Sequence, residues 1–144
     1  RDVHDFYMLT HAFLELGADV REFADLEVDL TAVDSCARAI RVLSEAQLGQ
    51  VYHIMSPYPV ALHDYLEMVS EKKIHTLSMD EFKPLLQKHE SDPKFGFMLA
   101  YMAANETMDA SAFPVERNEK TIAKLKQLGF IWEKPTVEYA RYVL

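Results

Sequence analysis

The chain has 144 residues, of which 49% are hydrophobic and 26% charged, and it contains a single Cys. A chain of this length can bury a core as one domain spanning residues 1–144, and one Cys excludes an internal disulfide or a Cys-rich zinc site. The net charge of −8 argues against a nucleic-acid partner, and no apolar stretch reaches the ~20 residues of a membrane span.

The charge is unevenly distributed along the chain. Residues 1–34 carry nine acidic side chains against two basic ones, whereas residues 116–134 carry five basic side chains against three acidic ones. An acidic partner is therefore expected to meet the C-terminal end rather than the N-terminal one. The alternative interpretation is that both segments are solvated helix faces.

Hydrophobic periodicity predicts two helices and two strands in the first half of the chain. They are a helix at 3–17, a strand at 26–33, a helix at 35–47 and a buried strand at 51–55, VYHIM. Asp34 or Ser35 would cap the second helix. The apolar stripe of that helix is made of Cys36, Ala39, Ile40 and Leu43. The Pro-Tyr-Pro sequence at 57–59 then predicts a rigid turn.

The second half is predicted to be mainly helical. Helices are expected at about 61–72, 80–89, 93–108, 119–130 and 136–144, with a short strand at 74–78. Ser78 or Asp80, Asn118 and Thr136 stand at positions that favour N-caps. The segment 93–108 is apolar around much of its circumference, which is typical of a helix buried on more than one side or facing a partner.

These elements predict an α/β fold that leans to mainly α, with two or three short strands. So few strands cannot form an independent sheet of α/β type. VYHIM resembles a central strand without neighbours, so its sheet is expected to lie partly in residues outside this chain. The missing initiator Met agrees with an excised piece of a longer protein. The alternative is a mostly helical fold with a small sheet on one side.

Recognised catalytic and phosphate-binding motifs are absent from the sequence. It contains no G-x-G-x-x-G, no G-x-x-x-x-G-K-[ST] and no G-x-S-x-G. None of the seven Tyr is followed by Lys at the fourth position, so the Tyr-x-x-x-Lys pair that serves hydride transfer is missing too. The sequence therefore predicts that the chain alone holds neither a nucleotide cofactor nor a catalytic residue.

Weaker combinations of reactive side chains remain. His11 and Glu15 are four residues apart on a predicted helix, as are His63 and Glu67, but no spacing indicates a third metal ligand. Cys36 lies on an apolar stripe, where Cys usually serves as a small hydrophobic residue. His53 and His63 have no evident partners for catalysis. We therefore predict no metal site.

Three segments, taken in order, resemble one family. The segment 28-VDLTAVDSCARAI-40 resembles V-D-L-T-P-V-D-x-x-A-x-A-I of thioester reductase domains, with Ala32 where the family has Pro. The segment 51-VYHIMSPYPVALHDYL-66 is similar to the family's x-Y-H-x-x-N-P-x-P-V-S-L-x-D-L-F, with Ser56 in place of Asn. The ending 121-TIAKLKQLGFIWEKPTVEYARYVL-144 resembles T-x-x-x-L-x-x-L-G, then Pro, then a short helix.

The resemblance implies the C-terminal, substrate-binding portion of such a domain. These domains are extended short-chain dehydrogenases of nonribosomal peptide and polyketide synthetases, and they are also similar to carboxylic acid reductases. In the family an upstream Rossmann half binds NADPH and carries the catalytic Tyr and Lys. A thioester held on the phosphopantetheine arm of a carrier protein is reduced to an aldehyde or an alcohol. Such a protein is expected in the cytoplasm, with no membrane and no nucleic acid as partner.

The resemblance leads to two sets of candidate residues. The pocket-lining candidates lie on the 93–108 helix and are Phe97, Met98, Tyr101 and Met102. The candidates for docking an acidic carrier protein are Arg117, Lys120, Lys124 and Lys126. Two alternatives stay open: an interaction module that has lost the Rossmann half, and the lobe of another extended short-chain dehydrogenase that acts on a soluble substrate.

Overall fold

A computed structural model describes residues 5–46, 49–89, 91–104 and 118–144. Within those ranges the chain is mostly helical, as the sequence predicts, with a few short strands. The helices are α1 (Asp5–Leu16), α2 (Val33–Leu43), α3 (Leu62–Val69), α4 (Met79–Gln87), α5 (Pro93–Ala104), α6 (Glu119–Gln127) and α7 (Val137–Tyr142). The strands are β1 (Ala18–Val20), β2 (Glu27–Val28), β3 (Val60–Ala61) and β4 (His75–Leu77). No helix in these ranges has the length and apolarity to cross a membrane.

The strands form two separate two-stranded sheets rather than one. In the first, β1 and β4 run parallel, with Asp19 opposite Thr76. In the second, β2 and β3 run antiparallel, with Glu27 opposite Ala61. The sequence did not predict β1, because three residues (Ala-Asp-Val) carry too little periodicity to identify a strand.

The prediction of a strand at 51–55 is wrong within the described part of the chain. This segment belongs to neither sheet, and the nearest strand in sequence, β3, begins at Val60. Side chains of the α6 region satisfy two of its backbone groups instead. The His53 backbone N–H donates to Thr121 Oγ1 at 3.1 Å, and Asn118 Nδ2 donates to the Met55 carbonyl at 2.9 Å. Asn118 is thereby diverted from the capping role that the sequence predicted for it.

The main core lies where α1, α3, α4 and α5 meet the parallel strand pair. Among its fully buried side chains are Val20, Tyr65, Leu66, Phe82, Leu86, Phe95 and Met98. The rings of Phe13 on α1 and Phe82 on α4 lie 5.6 Å apart, at a tilted angle. Gly17 ends α1 with a φ of 63°, a conformation that costs Gly little, and this turn sends the chain directly into β1.

A second, smaller cluster joins α2 to α6. Its buried members are Ala39, Leu43, Leu125 and Trp132. Only part of the predicted apolar stripe of α2 faces this cluster, because Ile40 is 56% exposed and Cys36 is half-buried. The helix begins at Val33, earlier than predicted, and neither Asp34 nor Ser35 caps it. The predicted caps Ser78 and Thr136 do accept hydrogen bonds from the first turns of α4 and α7.

A hydrogen bond to a buried carboxylate links α3 to the parallel strand pair. The Asp19 side chain is 0% exposed, and its Oδ2 lies 2.7 Å from Nδ1 of His63, which is 29% exposed. Since a carboxylate only accepts, the His63 Nδ1–H donates this bond. His63 therefore has a carboxylate partner that its sequence neighbours do not reveal. The partner is separated by 44 residues in sequence and becomes visible only in the folded chain.

Loss of the His63 imidazole should destabilise the fold more than loss of an exposed imidazole. His63→Ala leaves the buried Asp19 carboxylate without its donor, and we expect the free energy of unfolding to fall by about 2–4 kcal/mol. His53→Ala, which removes an exposed side chain, should cost less than about 0.5 kcal/mol. Urea denaturation of both variants measures the difference.

A second variant isolates the carboxylate. In the His63→Ala background, Asp19→Asn removes the uncompensated charge and should recover part of the lost stability. Equal midpoints for His63→Ala and His53→Ala would show that the Asp19–His63 bond does not stabilise the fold.

Candidate functional site

An apolar cavity of about 390 Å³ lies between α1, α5 and the segment that leads into β2. Its walls come from four parts of the chain. They are lined by Phe6, Leu9, Thr10 and Phe13 of α1; by Phe23, Leu26, Glu27, Val28 and Asp29; by Leu62 of α3; and by Met98 and Met102 of α5. The volume is at the lower end of the roughly 300–1,000 Å³ typical of small-molecule pockets.

The helical repeat of α1 forms one wall of this cavity. Its lining residues Phe6, Leu9, Thr10 and Phe13 follow the i, i+3, i+4, i+7 spacing of a single helix face. The Thr10 hydroxyl donates to the Phe6 carbonyl at 2.8 Å, so it is already satisfied within the helix. This wall therefore presents an apolar surface to whatever enters the cavity.

The α5 helix supplies the opposite wall with two methionines. Met98 and Met102 are four residues apart, both are buried, and both line the cavity. Of the other two residues proposed from the sequence, Phe97 is half-buried and does not line the cavity, and the side chain of Tyr101 lies outside the described part of the structure. Met side chains adapt their shape readily, which suits a wall that contacts an apolar ligand.

Two carboxylates form the charged part of the cavity wall. Glu27 lies in β2 and Asp29 follows two residues later, and both are exposed. Asp29 Oδ1 accepts hydrogen bonds from the Thr31 backbone N–H, at 2.9 Å, and from the Thr31 hydroxyl. No basic side chain is among the described residues that line the cavity.

The negative field of this segment extends to neighbouring groups. Burial raises the pKa of the Cys36 thiol, and the charges of Asp29 and Asp34 raise it further. Burial, followed by the same two carboxylates, also raises the pKa of the Tyr139 phenol. A raised pKa makes Cys36 a poor nucleophile, which agrees with the structural role that its sequence position predicts.

A second, wider cleft lies behind this segment. It runs along residues 30–35 and 132–136 and reaches Ser56 and α7, with a volume of about 590 Å³. The Ser56 backbone N–H donates to Thr31 Oγ1 at 2.7 Å and fixes the floor of the cleft. The buried Trp132 Nε1 has no hydrogen-bond partner among the described residues.

The two His–Glu pairs do not assemble a metal site in the described ranges. No group of three or more His, Cys, Asp or Glu side chains is close enough there to hold a metal ion. Glu15 contacts Lys94 Nζ, and hydrogen bonding to Glu15 raises the pKa of that lysine. His63 Nε2 lies 3.8 Å from Glu67 Oε1, while its Nδ1 is taken by Asp19.

The basic residues proposed for carrier docking belong to a different part of the molecule. Lys120 and Lys126 are exposed on α6 and Lys124 is half-buried there, whereas Arg117 lies outside the described residues. The buried residues of the same helix are Thr121 and Leu125. These lysines line no part of the α1–α5 cavity.

Sequence reasoning missed most of the cavity wall. Hydrophobic periodicity predicted the helix at 3–17 that carries Phe6, Leu9 and Phe13, but periodicity does not distinguish a face that packs fully from one that borders a cavity. Residues 23–29 gave no signal of a cavity. The predicted strand at 26–33 is confirmed only over β2, Glu27–Val28, and the alternation of exposed Glu27 and Asp29 with buried Val28 and Leu30 indicated only a strand or extended segment.

Comparison with known proteins gives structural relatives only. No protein-family model matches the sequence, and no curated protein sequence matches it. The chain is similar to the crystal structure of the aureusimine biosynthetic cluster reductase domain, with a TM-score of 0.77, 22% identity, and coverage of 96% of this chain and 36% of that chain. It is also similar to a thiolation-reductase di-domain from an archaeal non-ribosomal peptide synthetase, with a TM-score of 0.72, 21% identity, and coverage of 97% and 29%.

These relatives establish the fold. At 21–22% identity the shared property is the course of the backbone, and the chain spans only about a third of the length of either structure. Both relatives contain a reductase domain, and the second belongs to a non-ribosomal peptide synthetase. The chain therefore has the fold of one part of the aureusimine-cluster reductase domain, which confirms the resemblance at the level of fold.

Proposed function

We propose that this chain is the substrate-binding and carrier-docking lobe of an NADPH-dependent thioester reductase, which releases a carrier-bound acyl or peptidyl chain as an aldehyde or alcohol. The observation that carries the proposal is the shared fold with a reductase domain over 96% of the chain. The three sequence segments that resemble thioester reductases support it independently of the fold.

The chain's own residues do not fit NADPH. A dinucleotide site needs a Gly-rich turn between a strand and the N-terminus of a helix. Gly17 and Gly129 instead follow the ends of α1 and α6, and Gly96 lies inside α5. NADPH, which supplies the hydride, and the catalytic Tyr and Lys are therefore assigned to an upstream Rossmann half, and no chemical step is assigned to this chain.

The role of this chain is to bind and position the acyl group. The α1–α5 cavity has the size and apolar lining to hold one acyl end while the thioester remains outside. Burial of apolar surface provides the binding free energy, at about 25 cal/mol per Å². An acyl group held in this way would be partly shielded from water and held in one position, while NADPH bound elsewhere would supply the hydride.

The segment 51–55 is the proposed junction with the Rossmann half. It belongs to no helix, it pairs with no strand in the described ranges, and Val51 is 84% exposed. A β-rich segment that has joined no sheet of its own is suited to add to one. The Pro-Tyr-Pro turn that follows it leads through β3 into α3, one helix of the lobe's main core.

The carrier-protein partner is inferred from the second relative, which joins a thiolation domain to a reductase domain. On this chain the lysines of α6 (exposed Lys120 and Lys126 and half-buried Lys124) are the proposed contacts, because a chain with a net charge of −8 offers few basic surfaces to an acidic partner. The cavity and α6 then have different tasks, one for the acyl group and one for the carrier.

Binding of an acyl group should depend on the α1 wall. A stable amide analogue, phenylpropionyl-pantetheine amide, is expected to bind the chain. Leu9→Trp places an indole in the cavity and should weaken binding at least about tenfold, by excluded volume. Leu14→Trp, on the same helix but outside the cavity lining, is the matched control and should retain binding. Isothermal calorimetry measures both, and equal loss in the two variants would place the ligand elsewhere.

Titration of the chain with NADPH should give no saturable fluorescence change at micromolar concentrations, because the chain has no dinucleotide-binding turn. Micromolar NADPH binding to these 144 residues would contradict the division between the two halves.

Charge reversal on α6 should weaken carrier binding. For the double variant Lys120→Glu/Lys124→Glu we expect a loss greater than the roughly 1 kcal/mol of a single surface ion pair, measured by calorimetry with a phosphopantetheinylated acidic carrier protein. Lys72→Glu/Lys73→Glu, in the turn between α3 and β4, is the control for net charge. Equal effects of the two double variants would assign the α6 lysines to a solvated face.

A further inference from the structure

We propose that Phe13 and Met98 form a closed end of the α1–α5 cavity and limit the length of the acyl group that the lobe accepts. The inference rests on the proposed function and specifies its substrate class: acyl groups with a short apolar part, rather than long fatty chains. Phe13 and Met98 would then determine specificity without taking part in the chemistry.

The two helices that line the cavity run antiparallel. Glu15, in the last turn of α1, contacts Lys94, in the first turn of α5. The lining residues of α5, Met98 and Met102, come after Lys94, whereas those of α1 come before Glu15. Because both helices have the same rise per residue, Phe13 lies within about one turn of the level of Met98. The two side chains therefore border the same end of the cavity.

The cavity is buried at this end. Phe13 is 3% exposed and Met98 is 0% exposed. The ring of Phe13 lies 5.6 Å from the ring of Phe82 on α4, which is fully buried and is not among the described residues that line the cavity. Helix α4 also packs against α5. A ligand that advances past Phe13 would therefore have to displace side chains of the main core, which is costly in a closely packed interior.

The lining is more exposed at the start of α1. Phe6, the first lining residue of that helix, is half-buried, and Asp29 is an exposed residue of the lining. Burial raises the pKa of the Tyr139 phenol most, and Asp34, Asp29 and Tyr7 raise it further. Because electrostatic effects fall with distance, Asp29 and Tyr7 lie on the same side of the lobe, beside the first turns of α1. An acyl group therefore enters at this end and advances toward Phe13.

The distance between the two ends limits the chain length. Phe6 and Phe13 are seven residues apart on one helix face, which corresponds to about 10 Å along the helix axis. A saturated chain with carbon–carbon bonds of about 1.5 Å advances about 1.25 Å per bond. An acyl chain of about eight carbons therefore reaches Phe13 while its carbonyl stays at the entrance.

A series of straight-chain acyl-pantetheine amides tests this limit by calorimetry on the chain itself. The probes are the butanoyl, hexanoyl, octanoyl, decanoyl and dodecanoyl amides. We expect the affinity to rise about fivefold to fifteenfold for every two added carbons up to octanoyl, because each methylene buries apolar surface. The decanoyl and dodecanoyl amides should bind no more tightly than the octanoyl amide. An affinity that rises at the same rate through dodecanoyl would overturn the inference.

Smaller side chains at the closed end should move the limit. Phe13→Leu and Met98→Val remove volume there from α1 and from α5, so the test stands if one of them does not fold. In each folded variant we expect the decanoyl amide to bind at least about fivefold more tightly than it binds the original chain, because its last methylenes become buried. The butanoyl amide, which does not reach Phe13, should change by less than about twofold.

Phe95→Leu is the matched control. Phe95 is a buried core residue of α5 outside the described cavity lining, so its substitution should leave the limit at octanoyl. A limit that stays at octanoyl in Phe13→Leu and Met98→Val would overturn the inference, as would a limit that moves equally in Phe95→Leu. The first result is expected if long chains leave past the half-buried Phe23 instead.

The outcomes also separate this inference from the proposed function. Binding of the whole series without a length limit, abolished by Leu9→Trp, would retain the acyl cavity and reject the closed end. Binding of none of the amides would reject both the length limit and the cavity as the acyl site, whatever the carrier and NADPH measurements give.

Discussion

The packing of α1 against α5 is the contact on which the rest of the structure depends. Of the described element pairs, α1 and α5 make the most extensive contact, and Phe13 of α1 and Met98 of α5 are buried in the same core. Both residues also line the cavity, together with Leu9 and Met102 of the same two helices. The residues that stabilise the lobe and the residues that would contact an acyl group are thus neighbours on the same helices. A change in the packing of these helices would alter the cavity directly.

A second constraint comes from two sets of polar hydrogen bonds. The buried carboxylate of Asp19 binds His63 and holds the start of α3 against the parallel strand pair. Thr121 and Asn118 hold the segment 51–55 against α6 through single backbone groups. The Asp19–His63 bond is buried on the Asp19 side and stabilises the lobe. The bonds to Thr121 and Asn118 leave the segment outside both sheets of the described ranges, which agrees with its proposed role as a junction.

Local signals in the sequence were sufficient for most helices and for the class of fold. The N-caps Ser78 and Thr136 and the C-terminal Gly17 act within a few residues of the helices they border. The start of α4, the start of α7 and the end of α1 could therefore be predicted. The strand at 51–55 could not, since β propensity identifies a segment that can pair but not whether a partner exists. Ile40 was expected inward because the periodicity of α2 does not reveal which of its faces α6 covers. The Asp19–His63 bond and the cavity arise from residues far apart in sequence, and no local pattern encodes them.

The location of a bound acyl group is the most direct test of the central claim. A crystal structure of the chain with an aminoacyl-pantetheine amide should show the apolar side chain between α1 and α5, in contact with Leu9, Met98 and Met102, and the pantetheine outside the cavity. An acyl group in the cleft along residues 30–35 and 132–136, with the α1–α5 cavity unchanged, would contradict the assignment of this chain as a substrate-binding lobe that uses that cavity.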